Sequence, residues 1–127
     1  VPEDDREAVR LFQLAADQGY ADAQYNLGVM YLNGLGVPQD RKEAVQLFRF
    51  AAEQGYASAQ YNLGLMYKKG LGVFQDFKYA HMWLNIAASN GVDEGSKKRV
   101  EEIMTKSDIS EAQRLAKECV KKDYKGC

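Results

Sequence analysis

Side chains able to do covalent or metal chemistry are few in this chain, and they are scattered. Its two cysteines, Cys119 and Cys127, stand in a C-x7-C spacing, with Gly126 just ahead of the second and Cys127 as the last residue. Two readings are open: a bridge closing a small loop from the end of the last helix, or two free thiols in a reducing cytosol. A bridge would restrict the unfolded chain by about 2–3 kcal/mol on the loop-entropy model and would imply an oxidising compartment. Two thiols with no further ligands nearby, and the single histidine remote, do not make a metal site. That histidine, His81, lies between Ala80 and Trp83 with no Ser, Asp or Glu motif around it, and is expected to be a partly exposed helical residue. Gly34-Leu35-Gly36 and Gly70-Leu71-Gly72 lack the G-x-G-x-x-G and G-x-x-x-x-G-K-[ST] contexts and follow helical patterns, so they read as turns, not phosphate loops. Met66, Met82 and Trp83 at helical spacing read as core. No catalytic set, cofactor or metal is expected.

The elements that must position these residues are repeated. Residues 4–39 set against 40–75 match at 25 of 36 positions without a gap, and a third copy starts downstream and fades. A fixed period of this length is the signature of a stacked array. Within 40–54 the apolar residues Ala44, Val45, Leu47, Phe48, Ala51 and Ala52 recur at three- and four-residue steps, one stripe of a helix. Asp40 with Glu43, and Asp4 with Glu7, read as acidic capping boxes, and Gly55, Gly19 and Gly91 as helix stops. The second pattern, Ala57 to Lys69, places Ala59, Asn62 or Leu63, Met66 and Tyr67 along one side and ends in the Gly-Leu-Gly turn. Gly28 and Gly64 sit inside helices at a cost of about 1 kcal/mol against Ala, which points to close approach of a neighbouring helix, with Ala51 or Ala52 expected opposite. Helices are expected at 4–18, 21–33, 40–54, 57–69, 76–90, 93–106 and 109–122, with no strand. Past residue 93 a polar run leaves a narrow seam of Val100, Ile103 and Met104. A final helix with Ile109, Ala112, Leu115, Ala116 and Val120, N-capped by Ser107 or Asp108, closes the end, as a terminal repeat requires.

Composition bounds the partners. The chain of 127 residues is 46% apolar and 28% charged, with a net charge of −1. The one sizeable basic cluster, Lys97, Lys98 and Arg99, is followed at once by Glu101 and Glu102, which argues against nucleic acid. No apolar run approaches the roughly 18–20 residues that span a bilayer. Val1-Pro2 falls 36 residues before Val37-Pro38, so a repeat half is expected ahead of it, and the lack of a visible signal peptide carries little weight.

The segment ADAQYNLGVMYLNGLGVPQDRKEAVQLFRFAAEQG resembles the Sel-like repeat, a relative of the tetratricopeptide repeat: Ala23, Tyr25, Asn26, Leu27, Gly28, Tyr31, the glycine turn, Asp40, Ala44, Phe48, Ala51, Ala52 and Gly55 fall in place. The resemblance covers residues 1–91, with 93–122 like the family's C-terminal ending. It implies an all-α, right-handed superhelix of helix pairs over 1–127: residues 1–19 as the second helix of a truncated repeat, 21–55 and 57–91 as repeats, and 93–127 as a degenerate repeat helix with its cap. It also implies adaptor work in a bacterial-type protein, holding a protein or peptide on the concave face. By position that face presents Asp22, Tyr25, Asn26, Val29, Leu32 and Asn33, then Ser58, Tyr61, Asn62, Leu65, Lys68 and Lys69. The cysteine spacing resembles pairs in the cysteine-rich, exported branch, which favours the bridge and a periplasmic or secreted location over a cytoplasmic one. Penicillin binding or hydrolysis has been attached to that branch, but S-x-x-K, S-D-N and K-T-G are absent here.

Between the two good copies the second-pattern helix differs only at 22/58, 29/65, 32/68 and 33/69, the groove-facing positions. Variation on one face of a fixed scaffold is what a recognition surface shows, although free drift of exposed positions shows the same. Asn26 and Asn62 suit a peptide backbone or a bond within the scaffold, Tyr25 and Tyr61 an interface or a half-buried core, and Lys68 and Lys69 an acidic or carboxylate group. With its cover incomplete, the stripe of Leu11, Phe12, Leu14 and Ala15 on helix 4–18 is expected to support self-association.

Overall fold

The computed structural model describes residues 2–127; the matching of Val1 to Val37 lies outside them. Among the described residues there are seven helices and no strand: α1 (Pro2–Asp17), α2 (Ala21–Asn33), α3 (Arg41–Glu53), α4 (Ala57–Lys69), α5 (Phe77–Ser89), α6 (Glu94–Glu101) and α7 (Lys106–Lys121). Consecutive helices pack on one another, α2 against α3 and α4 against α5 most extensively, giving a helical solenoid.

The period reappears as equivalent contacts. Asp40 Oδ1 accepts from the Glu43 amide at 3.1 Å, and Asp76 Oδ1 from the Tyr79 amide at 3.1 Å, satisfying first-turn donors of α3 and α5. The six apolar residues expected in the α3 stripe are all buried. The core runs from them through Ala59, Leu63 and Met66 of α4 to Met82, Trp83 and Ile86 of α5, and ends on Ala116 and Cys119 of α7. A smaller cluster of Ala16, Ala23, Leu27 and Leu47 joins α1 and α2 to α3.

Four expectations need correction. α1 starts at Pro2, so Asp4 is not its N-cap; proline suits a first helical position because no N–H is needed there. α6 stops at Glu101 and α7 starts at Lys106, because the Thr105 hydroxyl accepts from the Asp108 amide at 3.0 Å and so ends one helix and begins the next. Ser107 and Asp108 therefore lie inside α7, Ile103 is exposed instead of contributing to the seam, and Val120 of the final helix is exposed as well. The in-helix glycines do mark close approach, but not to Ala51 or Ala52. A Cβ on Gly28 would lie 2.8 Å from Phe48 Cε1, and one on Gly64 would lie 2.8 Å from Leu84 Cγ. The large residue of the partner helix fills the gap, one level away from the alanines.

Buried amides repeat at the same period, a feature the apolar pattern does not disclose. Gln54 Nε2 donates to Gln24 Oε1 at 2.7 Å, and Asn90 Nδ2 donates to Gln60 Oε1 at 2.9 Å. Gln60 also donates to the Ala52 carbonyl at 3.1 Å. Each clasp ties a helix to the turn that ends the next helix, and each is paired, as burial demands.

Candidate protein interaction surface

Twelve residues carry the expected groove, and all lie on α2 and α4. None is buried, and Asp22, Asn33 and Lys69 are exposed. They are not equally free. The Tyr25 ring packs 5.8 Å from Phe48 and 5.3 Å from Tyr56, centroid to centroid, joining one repeat to the next. The Tyr61 hydroxyl receives a 3.4 Å hydrogen bond from Ser96 Oγ on α6. Val29 and Leu32 lean on the main core, and Asn33 Nδ2 is spent on the Val29 carbonyl at 3.1 Å.

The remaining polar groups are uncommitted. Among the described residues, the side-chain amides of Asn26 and Asn62 form no hydrogen bond, and Lys68 and Lys69 form no ion pair (Asn26 and Asn62 stand at the same point of successive repeats). An asparagine amide offers two donors and a carbonyl acceptor, enough to bind a peptide unit from both sides. At the C-terminal end of α4, Lys68 and Lys69 also lie where a cation complements the helix dipole.

A second feature lies off this row. The α4–α5 turn borders a groove of about 770 Å³, lined by Lys42, Tyr67, Val73, Phe74, Asp76 and Tyr79. Phe74 is 96% exposed and stands where the preceding copy has Pro38. Tyr67 and Tyr79 stack at 5.5 Å, and Arg49 donates to the Tyr67 hydroxyl at 2.7 Å while its guanidinium lies 5.8 Å from that ring's centroid. The proline-to-phenylalanine change was the one signal in the sequence able to find this groove.

His81 corrects the expectation of a partly exposed residue. It is fully buried, its Nε2 is 2.6 Å from Glu101 Oε2, and its Nδ1 has no partner among the described residues. Its place is between α5 and α6, so its role is to dock α6. Asp93 caps that helix through the Gly95 amide at 2.9 Å and the Ser96 hydroxyl at 3.0 Å. The Ser96 hydroxyl first, and then the Gly95 amide, hold its carboxyl below the usual carboxylate range. Cys119 and Cys127 are joined in a disulfide with their Cα atoms 5.6 Å apart. The tail it holds folds back on the array: Lys125 Nζ donates to the Glu53 carbonyl at 2.8 Å, and the Tyr124 ring lies over Gly55. Among the described residues no three His, Cys, Asp or Glu converge as metal ligands, and no helix is long and apolar enough to cross a membrane.

Comparison with known proteins agrees with this geometry. Residues 1–20, 21–56 and 57–92 each match the Sel1 repeat. No curated protein matches the chain. The crystal structure of c5321, a protective antigen present in uropathogenic Escherichia coli strains and displaying an SLR fold, has a TM-score of 0.92 over 98% of this chain at 32% identity. A Sel1 repeat protein from Oxalobacter formigenes has a TM-score of 0.68 over 69% of this chain at 41% identity. The chain spans only 28% and 25% of those two chains.

Proposed function

The chain belongs to the Sel1 repeat family, and from that premise we propose that it is a non-catalytic scaffold that binds an extended peptide segment of a protein partner along the α2–α4 row. Sel1 repeats generally mediate protein–protein interaction, and the finer reading rests on one observation. Asn26 and Asn62 present amides that form no hydrogen bond among the described residues, one repeat apart on the same row. They hold the peptide backbone, and Lys68 and Lys69 select an acidic side chain or a terminal carboxylate at the α4 end. Tyr25, Val29, Leu32 and Tyr61 supply the walls, and Ser58 and Leu65 set local shape.

The test is retention of partner by Asn62→Ala combined with Lys68→Glu, compared with wild type in a pull-down. Loss of a hydrogen bond and a charge contact, about 1 kcal/mol or more each, weakens binding roughly tenfold or beyond. Partners held at wild-type level by the double variant would remove the α2–α4 row as the site.

A second reading is favoured by Phe74. A phenylalanine bare to solvent beside Tyr67, Val73 and Tyr79 is a contact residue of the type enriched at interface centres. Phe74→Ala separates the two: the row predicts unchanged binding, and the turn groove predicts its loss. The bridged cysteines also support residence in a periplasmic or secreted setting. Resistance of both thiols to maleimide without prior reduction, in protein taken from its native cells, is the expected result there, and rapid labelling would place the chain in a reducing compartment.

A further inference from the structure

Between α5 and α7 runs a groove of about 400 Å³ that shares no residue with the α2–α4 row or with the groove at Phe74. Ile86 of α5 and Ala116 of α7 form its floor, and both are buried. Val120 forms an apolar wall and is 50% exposed. Lys117 and Lys121 stand on the rim, exposed and one helical turn apart. Lysine stems add apolar surface to such a rim while the ammonium groups stay in water.

The charges on α7 are unevenly answered. Arg114 is paired twice, with Glu111 and with Glu118, each at 2.5 Å. Glu118 stands three residues before Lys121, yet its carboxylate goes to Arg114. Lys117 and Lys121 form no ion pair among the described residues. Like charges four residues apart repel along a helix and weaken it. α7 thus carries two cations without a counter-charge, beside a strip of open apolar surface.

We propose that the α5–α7 groove docks an acidic amphipathic helix of a protein partner, which seats an apolar side chain against Val120 and sets two carboxylates opposite Lys117 and Lys121. Recognition of a helix in a groove uses these two parts, an apolar strip for affinity and rim charges for register. Carboxylates at i and i+4 of the incoming helix repeat the spacing of the two lysines. Their arrival replaces the repulsion between the lysines with two attractive pairs. The site is independent of the α2–α4 peptide row, and either one stands if the other fails.

The probe is a helical peptide of leucine and alanine with two glutamates four residues apart beside its leucine stripe. Its binding to the whole chain is read from the methyl NMR shifts of Ile86 and Val120. The glutamate peptide is expected to move both methyls, and its glutamine counterpart to bind about tenfold more weakly. Lys117→Glu with Lys121→Glu is expected to reject the glutamate peptide and accept one with lysines in its place. Lys117→Glu alone sets a glutamate four residues ahead of Lys121, so its thermal midpoint is kept or raised while binding falls, which separates lost binding from lost folding. Asn62→Ala with Lys68→Glu leaves this binding unchanged. Equal affinity for the glutamate and glutamine peptides, no movement of the two methyls, or failure of the charge exchange would overturn the proposal. So would vesicles of phosphatidylglycerol and phosphatidylcholine that move the same methyls where the peptide does not, which would give the groove to a membrane surface. Light scattering showing a dimer that Lys117→Glu with Lys121→Glu abolishes would give it instead to a second copy.

Discussion

A methyl group added at residue 64 would arrive 2.8 Å from Leu84 Cγ and 3.2 Å from the Ala80 carbonyl oxygen. Alanine is the better helix former by about 1 kcal/mol, but Leu84 is fully buried and has nowhere to retreat. Overpacking costs typically 1–3 kcal/mol, so Gly64→Ala is expected to lower stability by about 1 kcal/mol or more in urea denaturation. A gain in stability would mean that α4 and α5 part easily. Gly72 is more constrained still: its φ is +73°, and a Cβ would lie 2.5 Å from the Arg41 carbonyl oxygen. The need for a small residue at 64 was readable from its recurrence at 28, since a helix keeps a costly glycine twice only for packing. The residue opposite was not readable, because which level of the neighbouring helix meets it depends on helix offset and not on either sequence pattern. His81 was misjudged for a related reason. Its partner Glu101 lies 20 residues away, and a histidine with a carboxylate facing it is stable at full burial.

Helix boundaries followed their caps. α3 and α5 begin where Asp40 and Asp76 bond the amide three residues on, and those starts were legible because aspartate occurs there in every copy. Asp76→Ala is expected to cost about 1 kcal/mol, seen as a lower thermal midpoint with the helical far-UV spectrum retained. The α6–α7 boundary was missed because beyond residue 93 the period no longer supplies a template, and a single threonine hydroxyl decides it. α6 is short and polar, held by the Ser96–Tyr61 and His81–Glu101 contacts. Glu101→Ala leaves a buried imidazole nitrogen unpaired, at a cost of about 1–3 kcal/mol. The expected result is faster exchange of the α6 amides, with α1–α3 unchanged. Asp93 adds a pH dependence of known sign. Its carboxyl titrates lower in the fold than in the unfolded chain, so its contribution is present above the unfolded value and is lost as pH falls through the folded one. Asp93→Asn is expected to flatten that acid limb of stability.

Across the whole molecule the repeated scaffold was legible in the period, while the two features that break the period were not. One is the turn groove around Phe74, and the other is the returning tail. Reducing the disulfide, or Cys127→Ser, is expected to lower stability by about 2–3 kcal/mol through the freed loop, with the helices of the folded state kept; an unchanged urea midpoint would show that the tail is held by its other contacts alone. Those contacts are considerable. Asp123 and Tyr124 take φ values of 54° and 66°, which cost non-glycine residues of order 1 kcal/mol each, and the tail adopts them to reach Glu53 and Gly55. Most solenoids are coupled only between neighbours and fray from either end. Here the last residues touch the turn between α3 and α4, so the C-terminal end cannot peel away without breaking contacts deep in the array. The chain should therefore open in one direction. Native-state hydrogen exchange would show α1 opening first and α3 to α5 last, and reduction of Cys119–Cys127 would restore a second opening front at α7.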